Sequence, residues 1–173
     1  MAKAIADVRD AIARIRDVLP ADVAEFLDVA PEEFARATEV TYLGYVNGTL
    51  AALERMLPRD SGIIVQVGSA LAYRAIPLQS AYCGAKFACR GFTDALRMEL
   101  EKDGAPVSVS LVKPSGIDTP YPQHAKNYTS QELTLPPPVY APEEVAHAVL
   151  FAAEHPQMDR GLVKALQCRR HVP

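Results

Sequence analysis

The sequence predicts an α/β protein with a small parallel sheet of about three strands flanked by helices. Short β-branched runs at 63–67 and 107–112, and a weaker one at 161–166, alternate with longer segments of helical periodicity. Strands that alternate with helices form right-handed βαβ units and hence a parallel sheet. We expect strand 63–67 to be buried on both faces, as continuous apolar runs are in such sheets.

Composition and charge exclude several classes of protein. The chain has 173 residues, of which 49% are apolar and 23% charged, as in soluble globular domains. A net charge of −3 argues against nucleic acid as a partner. No apolar run approaches the roughly 20 residues that cross a membrane, and charges between Asp7 and Asp17 interrupt any secretory signal. A cytoplasmic protein without nucleic-acid or membrane partners is therefore expected.

Cysteine and histidine usage points the same way. The three cysteines, Cys83, Cys89 and Cys168, form no Cys-x-x-Cys pair, so we expect reduced thiols in a cytoplasmic protein. The four histidines show no ligand spacing with cysteine or carboxylate, so no metal site is predicted.

Two helices are predicted before the first strand. Residues 2–19 carry an apolar stripe at helical spacing and end at Pro20. A second helix runs from Pro31 to 57 and ends at Pro58. Its apolar residues lie on two faces, so one face should pack on the sheet and the other is available to a second subunit.

The rest of the chain alternates in the same way. A helix is predicted from 80 to 102, with Ser80 as its N-cap and Asp103-Gly104 as its end. Residues 113–141 are rich in proline and read as a long loop of the kind that is functional or mobile. A further helix begins at Pro142 and ends near residue 155.

Three side chains in the central stretch form a coherent chemical set. Ser69 follows the strand 63–67, where ligands bind in open parallel sheets, and Tyr82 and Lys86 are four apart on one helical face. Tyrosine can act as an acid or base if a nearby ammonium lowers its pKa from about 10, and Lys86 can supply that charge. The serine hydroxyl can orient a substrate oxygen on which negative charge develops.

The chain combines Ser69, the Tyr-x-x-x-Lys pair at Tyr82 and Lys86, and a turn from Pro114 to Thr119. In this combination it resembles the C-terminal, catalytic half of the short-chain dehydrogenase/reductase family. The resemblance covers residues 25 to 165 and implies a truncated Rossmann-like fold. It divides the chain into an N-terminal helix and linker at 1–24 and a catalytic-half domain at 25–173. It implies catalytic roles for Ser69, Tyr82 and Lys86. It also implies NAD or NADP as cofactor, held by five residues: Tyr82, Lys86, Pro114, Ile117 and Thr119.

The sequence departs from the family pattern in three places. Thr41 stands where the family has the asparagine of an Asn-Leu-x-Gly pattern, and Ser115 replaces a glycine. The Gly-x-x-x-Gly-x-Gly loop that approaches the cofactor pyrophosphate is not found. Only Gly44 and Gly48 have its first spacing, and they lie within a predicted helix.

Two functions are compatible with these features. The first is an NAD(P)-dependent oxidoreductase in truncated form, acting on the CH–OH group of a small alcohol or on a ketone. The alternative is a non-catalytic dimerisation or interaction module that derives from the family but lacks cofactor binding. Both imply a homodimer or a larger homo-oligomer, because two-faced apolar helices and an unpaired strand edge favour association.

Overall fold

The fold is described from a computed structural model for residues 29–125, 127, 134–135 and 137–156. The predicted helix at 2–19 and strand at 161–166 lie outside the described residues. The described part is an α/β arrangement of small parallel sheets flanked by helices, so the predicted fold class is confirmed. None of its helices is both long and apolar enough for a bilayer crossing.

A helical segment of three parts opens the described chain. Helix α1 spans Pro31–Ala37, a π-helical segment spans Thr38–Leu43, and helix α2 spans Gly44–Met56. The predicted helix over 31–57 is confirmed. Its widened middle is not predicted, because one extra residue in a turn leaves too small a trace in the apolar pattern. Gly44 and Gly48 lie in helical backbone, as expected.

The main sheet consists of two parallel strands in the described residues. Strand β1 spans Gly62–Val67 and β2 spans Val107–Val112, in register from Gly62 opposite Val107 to Val67 opposite Val112. Helix α3, Ser80–Lys102, makes the crossover between them. This is the βαβ unit that the sequence predicts.

The ends of α3 agree only partly with prediction. Gly104 adopts a left-handed conformation with φ of 62° after the helix, as the Asp-Gly signal predicts. The prediction that Ser80 is the N-cap is wrong, because Gln79 caps the helix and Ser80 is its first residue. Leu78, with φ of 65°, turns the chain so that the Gln79 carbonyl accepts the first helical hydrogen bond, from Cys83 N at 2.8 Å.

The proline-rich stretch after β2 contains short regular elements. Strand β3, Gly116–Ile117, pairs in parallel with β4, Val139–Tyr140. A helical turn, α4, spans Tyr121–His124, and helix α5 spans Pro142–Glu154. The interpretation of 113–141 as one loop is therefore wrong at these positions, since backbone pairing with β4 fixes the segment that follows β2. The helix predicted from Pro142 is confirmed.

Strand β1 is buried mainly on one face. Ile64 and Gln66 are 9% and 6% exposed, whereas Ile63 and Val67 are 43% and 42% exposed. Helices α2 and α3 cover the first face around Ile64, and α5 packs over Val65 on the second. The prediction of burial on both faces is wrong, because in the described residues α5 covers the middle of β1 and leaves its two ends half-exposed.

A buried polar cluster joins α2, β1 and α3. Gln66 Oε1 accepts hydrogen bonds from Tyr45 Oη and Thr93 Oγ1, both at 2.6 Å. Gln66 Nε2 donates to Thr49 Oγ1 at 2.8 Å, and Thr49 in turn donates to the Tyr45 carbonyl at 2.8 Å. We call Tyr45, Thr49, Gln66 and Thr93 the Gln66 cluster. Its buried polar atoms are hydrogen-bonded, which offsets the cost of removing them from water.

The Gln66 cluster should make the stability of the fold sensitive to alkaline pH. Burial raises the pKa of Tyr45 well above its ordinary value of 10.0. An unfolded chain loses this proton near pH 10 whereas the folded chain keeps it. The stability that the phenol contributes is therefore full below about pH 10 and is lost as the pH rises toward the folded pKa.

Above about pH 10, we expect the free energy of unfolding of the wild-type protein to fall more steeply with pH than that of Tyr45→Phe. The difference between the two slopes should be up to about 1.4 kcal/mol per pH unit. Urea unfolding between about pH 9 and 11 measures both slopes. Tyr42→Phe is the matched control, because Tyr42 is half-buried in the adjoining π-helical segment and lies outside the cluster. Equal slopes in wild type and Tyr45→Phe would contradict the expectation.

Candidate active site

Ser69 is fixed at the carboxyl end of β1 by backbone hydrogen bonds to the segment after β2. Gly68 N donates to Val112 O and Ala70 N donates to Pro114 O, both at 2.8 Å. A Cβ at Gly68 would lie 3.0 Å from Leu111 Cδ1, so glycine permits this close approach. Ser69 Oγ accepts from Leu71 N at 3.1 Å and caps a 3₁₀ turn, which leaves its hydroxyl proton free to be donated elsewhere.

The first turns of α3 bring Tyr82 and Lys86 to Ser69. The Ser69 hydroxyl lies close enough to the Tyr82 phenol to lower its pKa. Lys86 Nζ lies 5.6 Å from the centroid of the Tyr82 ring and donates to Val67 O at 3.4 Å. The structure thus brings together the three residues that the sequence groups as a catalytic set.

The electrostatics of the set differ from the simple expectation. Burial raises the pKa of Tyr82, and the nearby Ser69 hydroxyl lowers it by less. Burial also lowers the pKa of Lys86. The sequence predicts a net lowering at Tyr82 by Lys86. The net direction is opposite because desolvation of the phenol dominates and the ammonium is directed at the Val67 carbonyl.

The remaining predicted cofactor residues follow β2. Pro114 is tied to the Ser69 segment through its carbonyl. Ile117 lies in β3 and packs against the cluster of Val112 on the α5 side of the sheet. Thr119 is half-buried just beyond β3. These three residues lie in the segment that follows β2. This segment starts at the same edge of the sheet as Ser69.

Several residues near this set are not singled out by the sequence. Cys89 is fully buried, donates through Sγ to the Thr41 carbonyl at 3.4 Å, and interacts electrostatically with Lys86. Thr41 is 6% exposed and its Oγ1 has no hydrogen-bond partner among the described residues. The sequence does contain a signal for these residues, which is their helical spacing. In the first helical segment, polar side chains recur every four residues, at Thr41, Tyr45 and Thr49. On α3 they recur every three or four residues, at Lys86, Cys89 and Thr93.

A parallel βαβ unit with a serine at a strand end and a Tyr-x-x-x-Lys pair on the crossover helix is an arrangement of dehydrogenases. The family model described as short chain dehydrogenase matches residues 11–129. The chain therefore belongs to the short-chain dehydrogenase family. This match begins before residue 25, where the sequence places the start of the resemblance, and the division at 24/25 stays a prediction.

Relatives with curated names are oxidoreductases. The chain is 45% identical over 135 residues to "Uncharacterized oxidoreductase YxnA" of Bacillus subtilis. The aligned region covers 77% of this chain and 38% of that protein. It is 42% identical over 104 residues to "Putative oxidoreductase SadH" of Mycobacterium tuberculosis, covering 60% of this chain and 36% of that one. It is 33% identical over 149 residues to rat "17-beta-hydroxysteroid dehydrogenase 13", covering 86% and 46%. The chain thus spans less than half the length of these relatives.

A solved structure supports the fold. A structure titled "4-hydroxyisoleucine dehydrogenase complexed with NADH and succinate" superposes with a TM-score of 0.67, covering 93% of this chain and 73% of that one. The sequences are 16% identical, so this likeness concerns the fold alone.

Proposed function

We propose that this chain is the catalytic portion of an NAD(P)-dependent oxidoreductase that interconverts a small alcohol and its ketone. The observation that carries the proposal is the proximity of Ser69, Tyr82 and Lys86 at the carboxyl end of β1. Family membership supports the general class of reaction. The substrate, the choice of NAD or NADP and the activity of this chain by itself belong to the proposal.

In the proposed reduction, Ser69 donates a hydrogen bond to the carbonyl oxygen of the substrate and Tyr82 gives that oxygen its proton. A nicotinamide cofactor, when bound, supplies the hydride. Lys86 stabilises the phenolate that remains until solvent reprotonates it. Because burial raises the pKa of Tyr82, its phenol is protonated at neutral pH, which favours proton donation over proton abstraction.

The described residues fit one half of such a cofactor. Lys86 has three ammonium protons, and the Val67 carbonyl occupies one of them, so the others can serve ribose hydroxyls. Ile117 and Thr119 would contact the nicotinamide amide, and Pro114 would also contact the cofactor, as the family resemblance implies. The pyrophosphate half has no matching cradle in the described part of the chain, because Gly44 and Gly48 lie in helical backbone.

The second candidate, a non-catalytic module, is favoured by the missing glycine loop. The two candidates are separated by measuring oxidation of NADPH and NADH with a panel of small ketones. Turnover that depends on Tyr82 supports the oxidoreductase. Its absence at millimolar cofactor, in a folded protein, supports the module. Buried free thiols at Cys83 and Cys89 accord with the cytoplasmic location that we assign in either case.

We expect the chain to form a homodimer through α2 and α3, because both helices expose large apolar side chains. Leu50 is 50% exposed and Met98 is 71% exposed. Light scattering at micromolar concentration should give at least twice the monomer mass, since a larger homo-oligomer is also compatible with these helices. Met98→Glu places a charge in the expected contact and should shift the protein toward monomer.

Lys102→Gln is the matched control for assembly. It changes the net charge by the same amount on the same helix, and it should leave the mass unchanged. A monomer mass for the wild-type protein, or equal masses for all three proteins, would reject this interface.

A further inference from the structure

Gln66 lies where α2 meets β1 and α3, the two elements that carry the candidate site. It precedes Ser69 by three residues on β1, and its partner Thr93 lies on α3, the helix of Tyr82 and Lys86. Its other partners, Tyr45 and Thr49, lie on α2. The Gln66 cluster therefore connects the strand that ends at Ser69 with the helix that begins beside Tyr82.

The hydrogen bonds of the cluster admit few alternatives. The single proton of Thr49 goes to the Tyr45 carbonyl, so Thr49 Oγ1 must accept from Gln66, and this fixes which end of the amide is nitrogen. The amide oxygen then faces the hydroxyls of Tyr45 and Thr93, which also lie 2.6 Å from each other. Fully satisfied networks of this kind specify one arrangement of a core.

Apolar packing alone would specify that arrangement less sharply. Ile64 contacts the apolar residues of α2 and α3 on the same face of β1, but such contacts are non-directional. A strand advances about 3.3 Å per residue, so a slip much smaller than one residue would already break hydrogen bonds of 2.6 Å. Directional bonds at Gln66 therefore resist sliding of β1 along α3.

Further polar contacts lie between the Gln66 cluster and the candidate site. Thr93 Oγ1 also lies 2.8 Å from the Cys89 carbonyl, and Cys89 Sγ donates to the Thr41 carbonyl at 3.4 Å. Lys86 donates to the carbonyl of Val67, the residue after Gln66. Polar contacts thus continue from the Gln66 cluster along α3 to the candidate site.

We propose that Gln66 is a positioning residue, whose hydrogen bonds fix β1 lengthwise against α2 and α3 and thereby hold Ser69 beside Tyr82. The inference rests on the proposed function for its catalytic meaning. The positional effect itself can be measured without turnover. A failure of the positioning proposal can therefore be distinguished from a failure of the proposed function.

The test follows the ionisation of Tyr82 directly. A 3-fluorotyrosine at position 82 lets ¹⁹F NMR report its titration, and Ser69→Ala calibrates the upward shift that follows loss of the serine hydroxyl. Gln66→Leu should shift the titration upward by most of the Ser69→Ala value. The triple variant Tyr45→Phe, Gln66→Leu, Thr93→Val leaves no buried donor of the cluster without an acceptor, and it should fold and show the same shift.

Ile64→Ala is the matched control for a general loss of packing. Ile64 is buried on the same face of β1 and makes no cluster hydrogen bond, so the variant should lose stability and leave the Tyr82 titration unchanged. A folded triple variant with a wild-type titration would overturn the proposal, as would an equal shift in Ile64→Ala. A triple variant that does not fold would also count against it, because the role of the cluster would then be stability and not position.

Discussion

Tyr82→Phe should lower ketone reduction by about 10²–10⁴-fold, the loss typical of removing a general acid. The substitution keeps the aromatic ring and removes the transferable proton. No other tyrosine in the sequence stands four residues before a lysine. Steady-state kinetics with NADPH and a reactive ketone would measure the effect as a fall in kcat/KM, with unfolding midpoints recorded in parallel.

Tyr42→Phe is the matched control for this result. Tyr42 is also half-buried, with its ring 6.4 Å from that of Phe92, and it lies on the π-helical segment. Its loss should change activity less than about twofold, since it donates no proton in the proposed reaction. Full activity in Tyr82→Phe would remove the proposed acid and leave the oxidoreductase assignment without its central residue.

The parts of the fold that the sequence predicts are those with local signals. The apolar run 63–67 and the Asp103-Gly104 turn depend on neighbours in the chain, and the structure places β1 and the end of α3 accordingly. The grouping of Ser69, Tyr82 and Lys86 is also predictable. A strand end and the start of the following crossover helix meet at the same edge of a parallel sheet.

The remaining features depend on which elements meet. Gln66 reads as one polar residue in an apolar strand, and only the approach of α2 and α3 gives its amide three partners. The exposure of Ile63 follows from where α5 lies, which the sequence of β1 does not contain. The direction of the Tyr82 pKa likewise follows from burial in the assembled site, where desolvation outweighs the effect expected of Lys86.

The 173-residue chain should bind NADH or NADPH with a Kd of about 1 mM or weaker, equivalent to no more than about 4 kcal/mol. Hydrogen bonds from Lys86 and Tyr82 to the nicotinamide ribose contribute about 0.5–1.5 kcal/mol each. Association costs at least about 4 kcal/mol in lost freedom of motion, so these bonds leave little net affinity. Backbone donors from a glycine turn at a helix N-terminus would supply the phosphate contacts, and the sequence contains no such turn.

Calorimetry and NADH fluorescence measure this affinity in the intact chain. The weak binding that remains should depend on Lys86, whose ammonium donates to the Val67 carbonyl, so Lys86→Met should abolish it. Arg55→Met removes an exposed positive charge on α2 and is the control for general attraction of the phosphates. A micromolar Kd would contradict the prediction and would place in residues 1–60 a phosphate site that the sequence does not reveal. Retention of that tight binding in Lys86→Met would assign it to the phosphate half of the cofactor, since the nicotinamide half would then contribute little.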